Sequence, residues 1–278
     1  MSSLPTIFIS HGSPMLALTD TPARRFLQEL GRTLPTPAAI AVVSAHWETR
    51  GKPAVSLAAQ PATIHDFGGF PQALFDMRYP APGAPQAAKR AASLFEAAGI
   101  EVQRDAQRGL DHGAWVPLSL MFPHADVPVF QISLVHGARP AAHEQLGRAL
   151  AQLRHEGVLV IGSGSLTHNL HEFRGQAVDA PAPEWVSEFE GWMRERLEAN
   201  DSAALLNYRE RAPWAARNHP SEEHLLPLFV AMGAAGSGAR ARLLHSSFEH
   251  GVLAMDAVAF SQEGEEHGAG RPVQTMAR

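Results

Sequence analysis

Short apolar runs alternate with longer amphipathic segments over most of the chain. The apolar runs have the length and the valine and isoleucine content of buried β-strands. The amphipathic segments space apolar residues three and four positions apart, as in α-helices that pack on a core. Predicted strands cover residues 5–11, 40–46, 127–134, 158–161 and 240–245, with a weaker candidate at 53–57, and predicted helices cover about 22–30, 84–98, 140–154, 184–199 and 221–232. This alternation predicts an α/β fold with helices packed on a mostly parallel or mixed sheet.

No break in the pattern suggests a second domain, so we expect one catalytic domain over residues 1–260. Residues 68–85 are rich in proline and glycine and too aperiodic for a regular element. Their aromatic side chains indicate an ordered loop over a site and not a linker. Residues 261–278 are polar and contain glycine, which predicts a flexible C-terminal tail.

Composition removes several function classes. The chain has 278 residues, 45% of them hydrophobic, and no cysteine, which excludes thiolate metal sites, iron–sulfur clusters and cysteine nucleophiles. A net charge of -5 with dispersed arginines gives no basic patch for nucleic acid. The sequence shows neither a membrane-length apolar segment nor a signal peptide, so we expect a cytoplasmic protein without membrane partners. The oligomeric state stays open.

Histidines follow three of the predicted strands. His11 and His46 close two of them, and His168 follows the small-residue turn after the strand at 158–161. Functional groups in open α/β sheets collect beyond the carboxyl ends of the strands, so these imidazoles are expected to converge. Neutral imidazole binds both zinc and ferrous iron. The pattern therefore predicts a mononuclear metal site with nitrogen and oxygen ligands.

A further ligand is expected near residue 224. His224 lies in the predicted helix that begins at Ser221 as N-cap, with Glu222 and Glu223 in the first turn. A side chain in the first turn can point into the crevice, and a neighbouring carboxylate can ligate or orient an imidazole. The ligand here is thus His224 or one of the two glutamates.

Two other histidines suit different tasks. His112 stands in a turn before a short apolar helix, next to Asp111. An imidazole with a pKa of about 6.5 exchanges protons near neutral pH, which favours an acid–base role for His112. His65 lies on the loop above the expected site, where it can contact substrate. The glycine turn after Ile161 matches neither dinucleotide and phosphate loops nor a serine-nucleophile elbow.

Six short motifs follow one another along the chain. They are HGSP at 11–14, SAHWE at 44–48, HDFGGFP at 65–71, DHGAW at 111–115, GSGSLTHNL at 162–170 and EHLLPL at 223–228. In this order they resemble the class III extradiol aromatic ring-opening dioxygenases, specifically the 4,5-DOPA dioxygenase type. The resemblance extends to about Phe260.

The resemblance implies a single-domain α/β fold with a central mixed sheet and a non-haem divalent metal. It implies cleavage of a catechol with O2, with Fe(II) for activity and Zn(II) able to occupy the site. By this match His11, His46 and His224 are metal ligands, His168 is a fourth ligand or a proton shuttle, and His112 is a catalytic histidine near the substrate. The expected substrate-binding residues are Trp47, His65 and Asn169, with Phe67, Phe70 and Trp115 as further aromatic walls.

Two alternatives remain at this point. Facial triads of ferrous oxygenases usually include a carboxylate, and an all-histidine set suits zinc as well as iron. A zinc hydrolase would activate water on the same histidines, with Glu48, Glu222 or Glu223 as base. A non-enzymatic interaction protein on the same fold is the second alternative. The natural catechol is not identified by the sequence.

Overall fold

An eight-stranded mixed sheet forms the centre of the computed structural model, which describes residues 3–262. In chain order the strands are β1 (Thr6–Ser10), β2 (Ala39–Thr49), β3 (Ala54–Ser56), β4 (Gln103–Asp105), β5 (Val129–Val135), β6 (Val158–Gly164), β7 (Arg240–His245), β8 (Phe248–Glu249), β9 (Leu253–Ala254) and β10 (Ala257–Ser261). The sheet order is β4-β3-β5-β2-β6-β1-β10-β7, and β8 pairs separately with β9. The neighbours β5, β2, β6 and β1 run parallel, whereas β10 and β7 extend one edge antiparallel.

Helices cover both faces of this sheet. They are α1 (Pro22–Thr33), α2 (Gln72–Asp76), α3 (Pro85–Ala97), α4 (His112–Met121), α5 (Pro140–Leu150), α6 (Glu184–Glu198), α7 (Ser202–Leu206), α8 (Tyr208–Arg211), α9 (Ala215–Asn218) and α10 (Leu226–Ala234), with short 3-10 turns at Pro14–Ala17, Ala151–Glu156 and Leu170–Glu172. Phe8 packs with α3, α5 and α10 on one face, while Ile7 and Ile9 pack with α1 and α4 on the other. Because side chains alternate along a strand, a sheet covered on both faces needs continuous apolar runs.

The parallel strands bring three chain segments together at their carboxyl ends. Ile9 of β1 and Ser44 of β2 both register with Ser163 of β6. The pairing of β2 with β5 shifts register between Val43 and Glu48. The irregular strand end bends the segment that carries His46 at the edge where β1 and β6 finish.

The α/β fold class with a mostly parallel central sheet is confirmed. All six predicted strands exist, although β2 continues past His46, so this histidine lies within a strand and not at its end. The pattern missed the short β4 and the antiparallel β10. Residues 68–85 also contain α2, a regular element that their composition did not predict.

The helix expected from Ser221 was placed too early. Helix α10 begins at Leu226, with Pro227 in its first turn, where the missing N–H of proline costs no intrahelical hydrogen bond. Ser221 therefore caps no helix; its Oγ donates to the Glu223 carboxylate at 3.2 Å. His224 and both glutamates lie in the preceding turn.

The predicted tail at 261–278 begins one residue inside β10, and residues 263–278 lie outside the described part of the chain. Within residues 3–262, no helix has the length and apolar character needed to cross a membrane.

Candidate metal centre and active site

Three histidines converge at the carboxyl ends of the parallel strands. The Nε2 atoms of His11 and His46 lie 3.0 Å apart. The ring of His224 is 4.9 Å from that of His46 and 5.6 Å from that of His11, measured between centroids. One nitrogen from each of the three rings lies within 4.8 Å of the other two. His11, His46 and His224 are therefore brought to one point.

Close backbone approach holds His224 in this group. The carbonyl of His224 accepts a hydrogen bond from the N–H of Ser165 at 2.8 Å, and the carbonyl of Gly164 accepts one from the N–H of His11 at 2.9 Å. A Cβ on Gly164 would lie 2.0 Å from the carbonyl oxygen of His224. Gly164, the last residue of β6, thus lets the segment before α10 approach. Residues 162–164, predicted as a turn after Ile161, instead continue β6.

Hydrogen bonds fix the tautomers of two of these imidazoles. The Ser163 hydroxyl donates its single proton to the carbonyl of Gly113, so it accepts from Nδ1 of His11, 2.9 Å away. Nδ1 of His224 lies 2.9 Å from a Glu223 oxygen, and an ionised carboxylate can only accept. Both rings therefore carry their proton on Nδ1 and present the Nε2 lone pair, as metal-bound histidines do.

Burial keeps the cluster uncharged. Desolvation lowers the pKa of His11 and His224 well below the usual value, and the neighbouring imidazoles lower it further. For His46, burial and the nearby His112 lower the pKa to about 4. At neutral pH these imidazoles are neutral, which is the form that binds a metal.

The donor set fits a divalent metal ion. Two nitrogens that bind one metal ion at about 2.1 Å, at roughly a right angle to each other, lie about 3 Å apart. The Nε2 atoms of His11 and His46 have this separation, 3.0 Å. Without an ion between them, two lone pairs at this distance repel unless one ring moves its proton. Neutral imidazoles suit iron and zinc, and the geometry alone does not choose between them.

Two more histidines complete the polar end of the site. His112 begins α4, and its ring centroid is 3.9 Å from that of His46. His168 packs against the ring of His224, and its backbone N–H donates to the carbonyl of Asn218 at 3.0 Å. Burial lowers the pKa of His168 to about 4. Both predicted acid–base histidines thus lie beside the candidate ligands.

A cavity of about 300 Å³ opens over these imidazoles. Its lining residues are Gly12, Ser13, Pro14, His46, Asp66, Phe67, Phe70, His112, His168, Leu170, His224 and Leu253. The histidines and Asp66 form a polar end, and the aromatic and aliphatic side chains form the remaining walls. This volume and polarity suit a small molecule with a flat apolar body and polar groups at one end.

The three predicted substrate-binding residues do not line this cavity. Trp47 is buried beneath the guanidinium of Arg108, which lies 5.1 Å from its ring. His65 packs beside Trp115, with Nε2 at 3.1 Å from the carbonyl of Met77. The Asn169 side chain bonds backbone groups at both ends, namely the Arg217 carbonyl and the His171 N–H. A substrate role for these side chains stays a prediction.

Sequence reasoning missed two residues of the site. Ser163, which fixes the His11 tautomer, looked like one of several small residues in a turn. Asp66 lines the cavity, although the motif at 65–71 directed attention to its neighbour His65. Asp66 could have been found because it directly follows His65 in the motif at 65–71. No local sequence pattern singles out Ser163.

The glutamates proposed as hydrolase bases have other partners. Glu48 lies 3.2 Å from Nδ1 of the exposed His136, and Glu222 accepts a hydrogen bond from the Tyr208 hydroxyl at 2.8 Å. Glu223 is the partner of His224.

Comparison with known proteins gives a consistent result. The family model described as the catalytic LigB subunit of aromatic ring-opening dioxygenase matches residues 5–260. A 4,5-DOPA dioxygenase extradiol from Beta vulgaris is 43% identical over 92% of this chain and 96% of that protein. A protein of the same name from Escherichia coli (strain K12) is 43% identical over 83% of this chain and 85% of that protein.

A solved structure supports the same assignment. The crystal structure of an uncharacterized protein from Escherichia coli K12 superposes with a TM-score of 0.78 at 35% identity, covering 92% of this chain and 99% of the other. These likenesses support ring-cleaving dioxygenase activity over the hydrolase and interaction-protein alternatives. With its converging histidines and a family match over almost its whole length, the chain belongs to the metal-dependent family of the catalytic LigB subunit of aromatic ring-opening dioxygenases.

Proposed function

We propose that this protein uses Fe(II), held by His11, His46 and His224, to open a catechol ring beside its hydroxyl pair with O2. The observation that carries the proposal is the convergence of one ring nitrogen from each of these three histidines, with Nδ1 contacts that leave the Nε2 lone pair of His11 and His224 free. Bound Fe(II) supplies the redox step between an aromatic ring and O2, for which zinc has no accessible oxidation state. Zn(II) fits the same ligands and gives an inactive protein.

The chain's own residues supply orientation and proton transfer. The three ligand histidines occupy one side of the site and leave the cavity side open for the two catechol oxygens. His112 and His168 border that opening, where an imidazole can take a proton from a catechol hydroxyl and return one to the ring-opened product. Burial lowers the pKa of His168 to about 4, so its ring is neutral at neutral pH and avoids repulsion with a divalent cation.

The walls of the cavity favour an aromatic substrate. Phe67 and Phe70 meet edge to face with centroids 5.5 Å apart, and Leu170 and Leu253 complete the apolar side. Flat apolar walls bind a ring while polar groups at one end fix its orientation. Because relatives at 42% and 43% identity are named for DOPA, DOPA is the first catechol that we propose as substrate.

Anaerobic reconstitution tests the function. The full chain is freed of metal, loaded with Fe(II) or Zn(II), and mixed with DOPA, 4-methylcatechol or catechol while O2 uptake and visible absorbance are followed. The expected result is equimolar loss of O2 and catechol, with a yellow ring-opened product, from the Fe(II) form alone. No turnover by protein with verified Fe(II) occupancy, over the whole panel, contradicts the proposal.

A further inference from the structure

Asp66 is the carboxylate among the cavity-lining residues, and it contacts two histidines. Its Oδ1 accepts the backbone N–H of His112 at 2.9 Å and lies 3.0 Å from Nδ1 of the same residue. Its Oδ2 lies 3.7 Å from Nδ1 of His46. One carboxylate therefore faces Nδ1 of a proposed acid–base histidine and Nδ1 of a proposed ligand.

The backbone of His112 is fixed by two neighbouring carboxylates. Asp111 caps α4 by accepting the N–H of Ala114, and Asp66 accepts the N–H of His112 itself. The buried Asp111 is in turn held by Ser44, Gln131 and Arg108. The start of α4 is thus rigid, and the position of the His112 ring depends mainly on rotation of its side chain.

The ring of His112 has one polar neighbour at Nδ1. That nitrogen is buried and makes no hydrogen bond of full geometry among the described residues, and the Asp66 carboxylate lies 3.0 Å from it. Phe67 packs against the ring edge to face at 5.6 Å between centroids. Since His112 also lines the cavity, the ring meets the cavity through the side that carries Nε2.

We propose that Asp66 is a positioning residue that holds the His112 imidazole with Nδ1–H toward its carboxylate and the Nε2 lone pair toward the substrate. The role rests on the proposed function, in which His112 takes a proton from the catechol. A carboxylate accepts hydrogen bonds and cannot donate, so it selects the tautomer whose Nε2 is free to act as a base. In serine proteases the same replacement of a carboxylate by an amide lowers kcat about 10⁴-fold through the wrong histidine tautomer.

Asp66→Asn tests this role directly, because the amide keeps the size of the side chain without its charge. Oδ1 of Asp66 faces both the backbone N–H and Nδ1 of His112, so the amide cannot accept from the first and donate to the second at once. With its NH2 at this position the ring proton moves to Nε2, and Asp66→Ala removes the acceptor whichever way the amide turns. The control is Asp76→Asn, an exposed position nearby whose carboxylate contacts Gln72. Long-range ¹H–¹⁵N spectra of the Zn(II)-loaded full chain report the His112 tautomer without any need for turnover.

We expect the Nδ1–H tautomer of His112 in the parent and in Asp76→Asn, and the Nε2–H tautomer in Asp66→Asn. In the Fe(II) protein, Asp66→Asn should lower kcat at least tenfold with KM changed by less than about threefold. In a His112→Ala background the same replacement should change kcat by less than about twofold.

An unchanged His112 tautomer in both Asp66→Asn and Asp66→Ala overturns the proposal. The proposal is also overturned if Asp66→Asn lowers kcat as much in the His112→Ala background as in the parent, since Asp66 would then act by another route. If the parent Fe(II) protein turns over no catechol, the proposed function fails, while the tautomer spectra still decide whether Asp66 orients His112.

Discussion

His168 and His224 stack face to face, with ring centroids 3.5 Å apart and planes 6° from parallel. An imidazole nitrogen binds a metal along its lone pair, which lies in the plane of the ring. Two stacked parallel rings direct their lone pairs along separate planes, so a metal held by His224 would not be held by His168 as well. This arrangement favours His168 as a group that moves protons over the fourth-ligand role that the family resemblance left open.

His168→Ala separates these two roles. We expect metal affinity within about threefold of the parent, because the in-plane ligands are untouched, and a kcat lower by about two to four orders of magnitude. Metal titration of the apo protein and steady-state O2 uptake are the measurements, with the exposed His171→Ala as control. A large loss of metal affinity would instead make His168 a ligand.

Replacing His11 or His46 with alanine should remove the metal. Each change deletes one converging lone pair and leaves a small cavity at the end of a well-packed strand, so the fold should persist. Metal content after dialysis against a chelator, together with circular dichroism, provides the test. His136→Ala, which removes an exposed histidine, should bind metal as the parent does. Full occupancy in both site variants would refute the assignment.

The strand pattern located His11 and His46 because apolar runs of strand length are visible locally, and the carboxyl ends of parallel strands share one edge. Strand alternation also explains why Trp47 is not in the cavity: its side chain must leave β2 on the face opposite to that of His46. That conclusion was available from the sequence once β2 was known to extend past His46.

Other parts of the site depend on contacts that no local pattern contains. Ser163 and His11 are 152 positions apart, and their hydrogen bond follows from the β1–β6 register. The start of α10 was misplaced because Ser221 and two glutamates resemble a capped first turn, whereas Pro227 fixes the actual one. Asp66 reaches His112 across 46 positions through a loop whose path depends on tertiary packing.

Glu223→Gln tests the orientation of His224. The amide oxygen can still accept from Nδ1, but without the negative charge that strengthens the imidazole as a ligand. We expect metal affinity to fall about 10- to 100-fold, as for other residues that support ligand histidines. Glu222→Gln is the matched control, because the adjacent carboxylate of Glu222 contacts Tyr208. Competition with a metal-binding dye measures both, and equal affinities would disprove the role of Glu223.

Gly113 is required by close packing against the ligands. A Cβ there would lie 2.4 Å from the Ser44 hydroxyl oxygen and 3.0 Å from Cδ2 of His46. Helix propensity alone predicts that alanine would stabilise α4 by up to about 1 kcal/mol. Overpacking outweighs this, so Gly113→Ala should destabilise the protein by about 1–3 kcal/mol and weaken metal binding.

Gly191 offers the matched comparison in α6, because a Cβ at that position would meet no heavy atom within 4 Å. Gly191→Ala should therefore raise the free energy of unfolding by up to about 1 kcal/mol. Urea denaturation of both variants measures the contrast in sign. If Gly113→Ala is as stable as the parent and binds metal equally well, the packing explanation is wrong.

A buried acid pair away from the metal centre makes stability depend on pH. The carboxyl groups of Asp256 and Glu190 are both buried and interact electrostatically, and Arg194 lies 3.3 Å from Glu190. Burial, followed by the charge of Glu190, raises the pKa of Asp256 well above its usual value; burial also raises that of Glu190. Burial and the neighbouring negative charge both favour the protonated form of Asp256, so the folded protein retains a proton that the unfolded chain releases.

Asp256→Asn should remove most of this dependence. A raised folded-state pKa means that the folded state binds more protons than the unfolded chain, so stability is full below the ordinary pKa and falls as pH rises through the folded value. Asparagine does not titrate, so the free energy of unfolding of the variant minus that of the parent should increase from pH 5 to pH 8. Urea denaturation at each pH gives this difference, and histidine titration common to both proteins cancels from it. For the surface variant Asp179→Asn, the difference in free energy of unfolding from the parent should not change with pH. If the difference for Asp256→Asn does not change with pH either, Asp256 is ionised in the folded protein.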